Sequence, residues 1–445
     1  MQPTITLRRV GWMAAATLIL GTLIGVGAGL LTLLLYGIES VMLGYVENGA
    51  MPGPFGVAPV RRIISVTVGL GVAGVIWYLL RHRAAKAPSV KKAVEGERMP
   101  VWPTLAHVVL QIAIVGSGAS IGREVAPREL GSMLAQRLCD LMHIDGEHGV
   151  DRRMVVAVAA GAGLGGVYNA PLAGMFFAVE VLLAEVTIEK VAFGLGMSAV
   201  AAFVATSIKG HHVFYDIAGL QDGSTPTLML AALLIGAACG AAGAVFRRWS
   251  SWAERHKPSG TAILWMMPLA GVVTGVVALA VPQIMGNGRA AAQLGFSTMP
   301  TTAGEATSAS SPWTLLGLSD RGSQLALVLG VLALTFAAKA VVTLLTIRAG
   351  ASGGVLQPGI ALGSTLGAMV GVLWVIVFPA DSVTACALIG AAALLSASQQ
   401  APLMAMCLVM ELTEAPIGFF VPVGFAVATS SLVSRWIIDR CKQRK

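Results

Sequence analysis

Charge is scarce in this sequence. Only 12% of its 445 residues are Asp, Glu, Lys or Arg, about half the share of a soluble domain. So little charge excludes an ordinary water-facing globule. Aromatic residues are also few, at 6%, and no tyrosine follows Tyr215. Cysteine is rarer still: Cys139, Cys239, Cys386, Cys407 and Cys441 are scattered, odd in number and mostly in apolar sequence. Their spacing fits neither a disulfide framework nor a metal site, which leaves small buried packing residues. The histidines show no metal spacing either, and His211-His212 lies in a polar connection. No Walker sequence, Ser-His-Asp order or zincin motif occurs, so an enzyme or a bound cofactor has no support. Gly161-Ala162-Gly163-Leu164-Gly165-Gly166 does match G-x-G-x-x-G. It sits in a long apolar stretch, not in a soluble βαβ unit, so close helix contact is the expected use. Met175, Met404, Met406 and Met410 are read as packing.

What fills the chain is apolar sequence. Hydrophobic residues make up 56%, and there are 53 glycines, a composition that suits close helix packing in lipid. Apolar runs span 10–36, 63–80, 106–120, 154–183 and 191–207. They resume at 228–246, 262–281, 325–345, 360–377, 385–397 and 419–438. Some fall short of the ~20 residues that a straight span needs, and others suit a tilted helix or a tight pair. The prediction is an all-α polytopic membrane protein with tilted and half-spanning helices. Residues 209–227 form a polar connection, and 283–324 is expected to be an exposed loop with one short helix near Trp313-Leu316.

The net charge of +8 comes from ends and gaps, among them Arg8, Arg9, Arg81, Arg83, Lys86, Arg440 and Lys445. This distribution predicts both termini and the 81–98 loop in the cytoplasm. With no soluble basic domain, nucleic acid is not an expected partner. The N-terminal stretch is too long for a signal peptide and is read as a retained helix.

One pattern occurs twice. Ala170-Pro171-Leu172 precedes Glu180, and Ala401-Pro402-Leu403 precedes Glu411. Gly122-Arg123-Glu124-Val125-Ala126-Pro127 and Gly353-Gly354-Val355-Leu356-Gln357-Pro358 lie upstream at the same offset. Two repeats, 1–217 and 218–445, are therefore expected within one transmembrane domain. Repeated halves with Gly/Pro-broken helices point to a transport site at their interface. A helix beginning near Glu124 or Val125 would aim its free N–H groups and positive dipole end at the break. That makes an anion site, and Pro127 suits an early helical position. The second element offers the same arrangement without a carboxylate. Glu124 then acts as a tethered competitor that occupies the site when ionised and leaves when protonated; the alternative is a structural Arg123–Glu124 pair. Glu180 and Glu411 are read as caps or salt-bridge partners at the membrane edge. Tyr168 and Asn169 are read as local hydrogen-bonding residues.

Gly122-Arg123-Glu124-x-x-Pro127, Gly354-x-x-x-Pro358 and the paired Ala-Pro-Leu…Glu helices resemble those of the CLC chloride channels and transporters, over roughly residues 10–440. The resemblance implies two inverted-topology repeats in an inner (plasma) membrane and a homodimer with one pore per subunit. It makes Glu124 the gating glutamate. The anion, chloride by default, would be bound mainly by backbone at Gly122, Arg123, Val125, Ala126, Gly354, Val355, Leu356 and Gln357. Within the family the alternative is a fluoride/proton antiporter; outside it, a membrane-embedded enzyme or a non-transporting scaffold.

The chain also departs from the family. The Gly-Ser-Gly-Ile-Pro motif has no clear match, and the corresponding region, 83–90, reads Arg-Ala-Ala-Lys-Ala-Pro-Ser-Val. Val-Ala-Pro follows Glu124 where Gly-Pro is usual, and Leu356 replaces a Phe. Val181 stands where proton-coupled chloride members carry an inner glutamate, and the C-terminal pore tyrosine is missing. Channel versus exchanger, and chloride versus fluoride, stay open. A site without those hydroxyls is expected to bind halides weakly, unless Ser117 or Ser120 substitutes. Helix faces at 191–207 and 417–434 are expected to make the dimer contact.

Overall fold

The computed structural model describes residues 7–142, 150–217, 220, 225–298 and 321–443. These form sixteen α-helices. The first five are α1 (Leu7–Met42), α2 (Pro59–Arg83), α3 (Val90–Val94), α4 (Val101–Gly116) and α5 (Val125–Leu141). α6 (Arg152–Tyr168), α7 (Pro171–Phe176), α8 (Ile188–Lys209), α9 (Pro226–Arg255), α10 (Ile263–Ala280) and α11 (Arg289–Phe296) follow. α12 (Arg321–Arg348), α13 (Leu356–Val377), α14 (Val383–Gln399), α15 (Pro402–Thr413) and α16 (Phe420–Gln443) complete the order. Among the described residues, eight helices are long and apolar enough to cross a membrane, and four shorter apolar helices accompany them.

Local chemistry sets the boundaries. Asp151, Thr187 and Thr225 cap α6, α8 and α9 by accepting from N–H groups two or three residues on, the usual role of Asp and Thr at a helix start. The 154–183 run becomes a tight pair. Asn169, at φ 54°, ends α6, and Pro171 opens α7. Gln400, at φ 58°, and Pro402 do the same between α14 and α15. The Gly161–Gly166 stretch makes backbone contacts. A side chain at Gly161 would strike the Gly174 carbonyl of α7, and one at Gly163 the Pro127 carbonyl of α5. Cys139, Cys239, Cys386 and Cys407 are buried and free, while Cys441 is half-buried.

The loop expected at 283–324 is partly helical core. α11 lies within it, with Arg289, Ala290, Ala291, Ala292 and Phe296 buried. Ser364 of α13 donates to the Ala292 carbonyl at 2.6 Å, and Thr384 to the Phe296 carbonyl at 2.9 Å. Alanine and glycine make this helix small enough to pack under its neighbours, and such a helix lacks the long apolar run that marks a span. Trp313 and Leu316 lie outside the described residues.

Glu180 and Glu411 are caps, but each serves the other's helix. Glu411 of α15 accepts from Leu172 N and Ala173 N of α7, both at 2.9 Å. Glu180, in the wider π-type turn that continues α7 over Phe177–Leu182, accepts from Leu403 N at 3.2 Å and Met404 N at 2.9 Å of α15. Each carboxylate thus meets the positive end of a facing helix. Glu411→Leu leaves two N–H groups without acceptors, so stability is expected to fall by about 2 kcal/mol, read as a lower unfolding midpoint in detergent. If the resemblance to the CLC transporters holds, Glu180→Gln should leave the pH profile of anion flux intact; a flat profile there would point to Glu180 rather than Glu124 as the gate.

Candidate anion site

The chain breaks at two places that face each other. Residues 117–124 separate α4 from α5, with Gly118 at φ 103°. Residues 349–355 separate α12 from α13, with Gly350 at φ 119°. Gly122 and Gly354 join the breaks by an antiparallel bridge, each N–H donating to the other's carbonyl at 2.8 Å. Those two amides are therefore committed to each other and drop out of the expected donor set. α5 begins at Val125 and α13 at Leu356, as the Gly-rich elements predict.

Glu124 is fully buried between these two starts. The Leu356 N–H, at the first position of α13, donates to Glu124 Oε1 at 2.6 Å. The Tyr168 hydroxyl lies 3.5 Å from Oε2. A methyl group on Gly122 or Gly354 would overlap the carboxylate, which is why both positions need glycine. Glu124 does not pair with Arg123, whose Nη1 points to Glu47 Oε1 at 3.5 Å. A negative group therefore sits at the positive end of α13, held by backbone N–H and phenol O–H. An anion held there would receive the same donors.

More side-chain donors surround the site than its motifs suggest. Tyr168, at the end of α6, belongs to the site itself. Gln357, next to Leu356, is fully buried. Its Oε1 accepts from the Tyr215 hydroxyl, while its Nε2 has no partner. Tyr168, Phe214, Tyr215 and Phe296 pack in series with ring centroids 4.9–5.5 Å apart. Phe214 and Tyr215 come from the 209–227 connection, whose polar composition gave no sign of them; the adjacent aromatic pair was the available signal. Lys339 of α12 is also buried, donating to the carbonyls of Ile284 at 2.9 Å and Gly286 at 3.0 Å. A side chain at Gly288 would touch both Lys339 and the Gln357 carbonyl. Lys339 thus places its amine behind the first turn of α13, and its place within an apolar helix hid it.

The serines named as substitutes face elsewhere. Ser117 donates to the Ala113 carbonyl at 2.7 Å, and Ser120 pairs with Thr343 at 3.1 Å. In the 83–90 region, Ser89 precedes α3 and is exposed.

Three solved structures share this arrangement of helices. A slow cyanobacterial Cl−/H+ antiporter is 20% identical, with a TM-score of 0.74 and 95% of each chain covered. A CLC-type fluoride/proton antiporter is 17% identical, with a TM-score of 0.69 and 97% of each chain covered. A eukaryotic CLC transporter is 18% identical, with a TM-score of 0.67; the match covers 95% of this chain and 72% of that one. The sequence pattern of the voltage gated chloride channel family matches residues 68–435. With both helix breaks and the buried carboxylate inside that span, the chain is a multi-pass membrane protein that belongs to the voltage gated chloride channel family.

Proposed function

We propose that this protein carries small inorganic anions across the membrane, chloride by default, past a gate formed by Glu124. The observation that carries this reading is the Glu124 carboxylate on the Leu356 N–H at the start of α13. The proposed ligands are that N–H with the neighbouring helix-start amides of Val125, Ala126, Val355 and Gln357, joined by the Tyr168 hydroxyl and the Gln357 carboxamide. Liposomes holding only the purified protein test it. Chloride efflux is expected, and its absence for chloride and fluoride alike would favour a scaffold or an enzyme.

Fluoride/proton exchange is the second reading. Phenol and carboxamide donors beside the helix-start N–H groups favour a compact anion with strong hydrogen bonds. Reversal potentials under combined anion and pH gradients separate the two ions and distinguish a channel from an exchanger.

We further infer two repeats, 1–217 and 218–445, meeting at the site. Asn169 and Gln400, left-handed and at equivalent positions, support this, as do the crosswise caps. The charge distribution supports cytoplasmic termini in a plasma membrane. A homodimer would use the α8 and α16 faces, where Phe203, Val421 and Leu432 are exposed at 74%, 60% and 72%. Cysteines placed at Phe203 and Leu432 should cross-link pairs of chains in bilayers; a monomer in both mild detergent and bilayers would remove the dimer.

A further inference from the structure

A narrow cavity, with about 30 Å³ open to water, lies beside the gate. Its walls include Tyr36, Arg123, Tyr168, Lys209, Phe214 and Arg289. Two guanidinium groups are buried here, Arg123 at 2% exposure and Arg289 at 4%. Arg123 has one ion pair, to Glu47 at 3.5 Å, and its Nε and Nη1 lack hydrogen-bond acceptors. Arg289 donates to the Val213 carbonyl at 3.4 Å, and its Nε also lacks an acceptor. Both groups lie near the Phe214 ring, 5.6 and 4.6 Å from its centroid. Lys209 adds an amine, tied to the carbonyls of Gly166 and Val167 at 2.9 and 2.6 Å.

Buried guanidinium N–H groups without acceptors are costly, and such groups in a native fold call for a missing partner. The local charges select that partner. Arg123, Arg289 and Lys209 outnumber Glu47 and Glu39, the latter accepting from Glu47 N at 2.9 Å. With all five groups ionised, one positive charge remains. Water would satisfy the donors and leave that charge. A single monovalent anion satisfies both, and the open space suits a particle close in size to one or two waters.

We propose that this cavity is a second anion site, built from side chains, which holds one small monovalent anion between Arg123 and Arg289. It stands in series with the site at Glu124, and so rests on the reading of Glu124 as the gate. Tyr168 joins the two, since it lines the cavity and reaches Glu124 Oε2. The site differs in kind from its neighbour. Planar guanidinium forks and a ring make it, not helix-start amides, so it takes an anion while Glu124 still occupies the inner position.

Crystals of the whole chain soaked in bromide test this by anomalous scattering. The parent should show a peak within hydrogen-bonding reach of both guanidinium groups. Glu124→Gln should add a separate peak at the Leu356 N–H. Arg289→Gln should lose the first peak and raise the half-saturating bromide concentration for flux roughly tenfold. A peak at Leu356 in Glu124→Gln with none between the guanidinium groups overturns the second site and leaves the gate standing. Peaks at neither place overturn both. If Arg289→Gln does not fold, the parent crystals alone decide.

Discussion

Glu124→Gln is expected to transport anions at a rate that no longer varies between about pH 4.5 and 7.5. In the parent, Glu124 Oε1 takes the Leu356 N–H at 2.6 Å and Oε2 faces the Tyr168 hydroxyl at 3.5 Å. Both contacts are donors to the carboxylate oxygens. On the proposed gate, protonation would remove the charge that holds the carboxylate at the start of α13, and the anion would then take its place. The sign follows: flux in the parent rises as pH falls. Glutamine has nearly the same shape but no charge at any pH. Losing even one charge-assisted hydrogen bond weakens the closed state by about 1.5–3 kcal/mol, so the variant should exceed the parent roughly tenfold or more at the alkaline end. Parallel flux measurements on both proteins across that range check it. A parent-like pH profile in the variant would remove Glu124 from the gate.

The parts of this fold that the sequence reveals are those governed by local chemistry. Apolar runs at 191–207 and 228–246 become α8 and α9 because a backbone in lipid must satisfy its own hydrogen bonds. The Gly-rich breaks before α5 and α13 follow from the need of Gly122 and Gly354 to lie against a carboxylate. The parts it hides depend on distant partners. The facing starts of α7 and α15 leave Glu180 and Glu411 each capping the other's helix, and nothing in either segment alone says which N–H groups it will meet. α11 has too few large apolar residues to read as core until Ser364 and Thr384 bond to its carbonyls. The family's motif hydroxyls have no match near residues 83–90 or after Tyr215. The hydroxyls beside Glu124 and Gln357 are those of Tyr168 and Tyr215. A polar connection that folds back into the core breaks the link between local composition and burial.

That relocation changes the expected strength of anion binding. A site of helix-start amides alone would hold halides weakly. A phenol and a free carboxamide N–H in a dry site each add a charge-assisted hydrogen bond to an anion, worth about 1.5–3 kcal/mol. Tyr168→Phe separates this contribution from the proposed gate, because Tyr168 would serve both occupants. In the parent, the hydroxyl supports the Glu124 carboxylate and would support the anion that replaces it. Its loss weakens both, so the apparent chloride affinity should change little. In the Glu124→Gln background the competing carboxylate is gone, and the same substitution should weaken chloride binding by roughly tenfold or more. The difference between the two backgrounds is the coupling between Tyr168 and Glu124. Gln357→Leu paired with Tyr215→Phe, which leaves no orphaned phenol, should lower affinity by a similar factor in the Glu124→Gln background. Calorimetric titration of the five proteins with chloride and fluoride measures all of this. Equal affinity in Glu124→Gln with and without Tyr168→Phe would mean that the hydroxyl serves only the carboxylate, and the anion would then be held by backbone N–H groups alone.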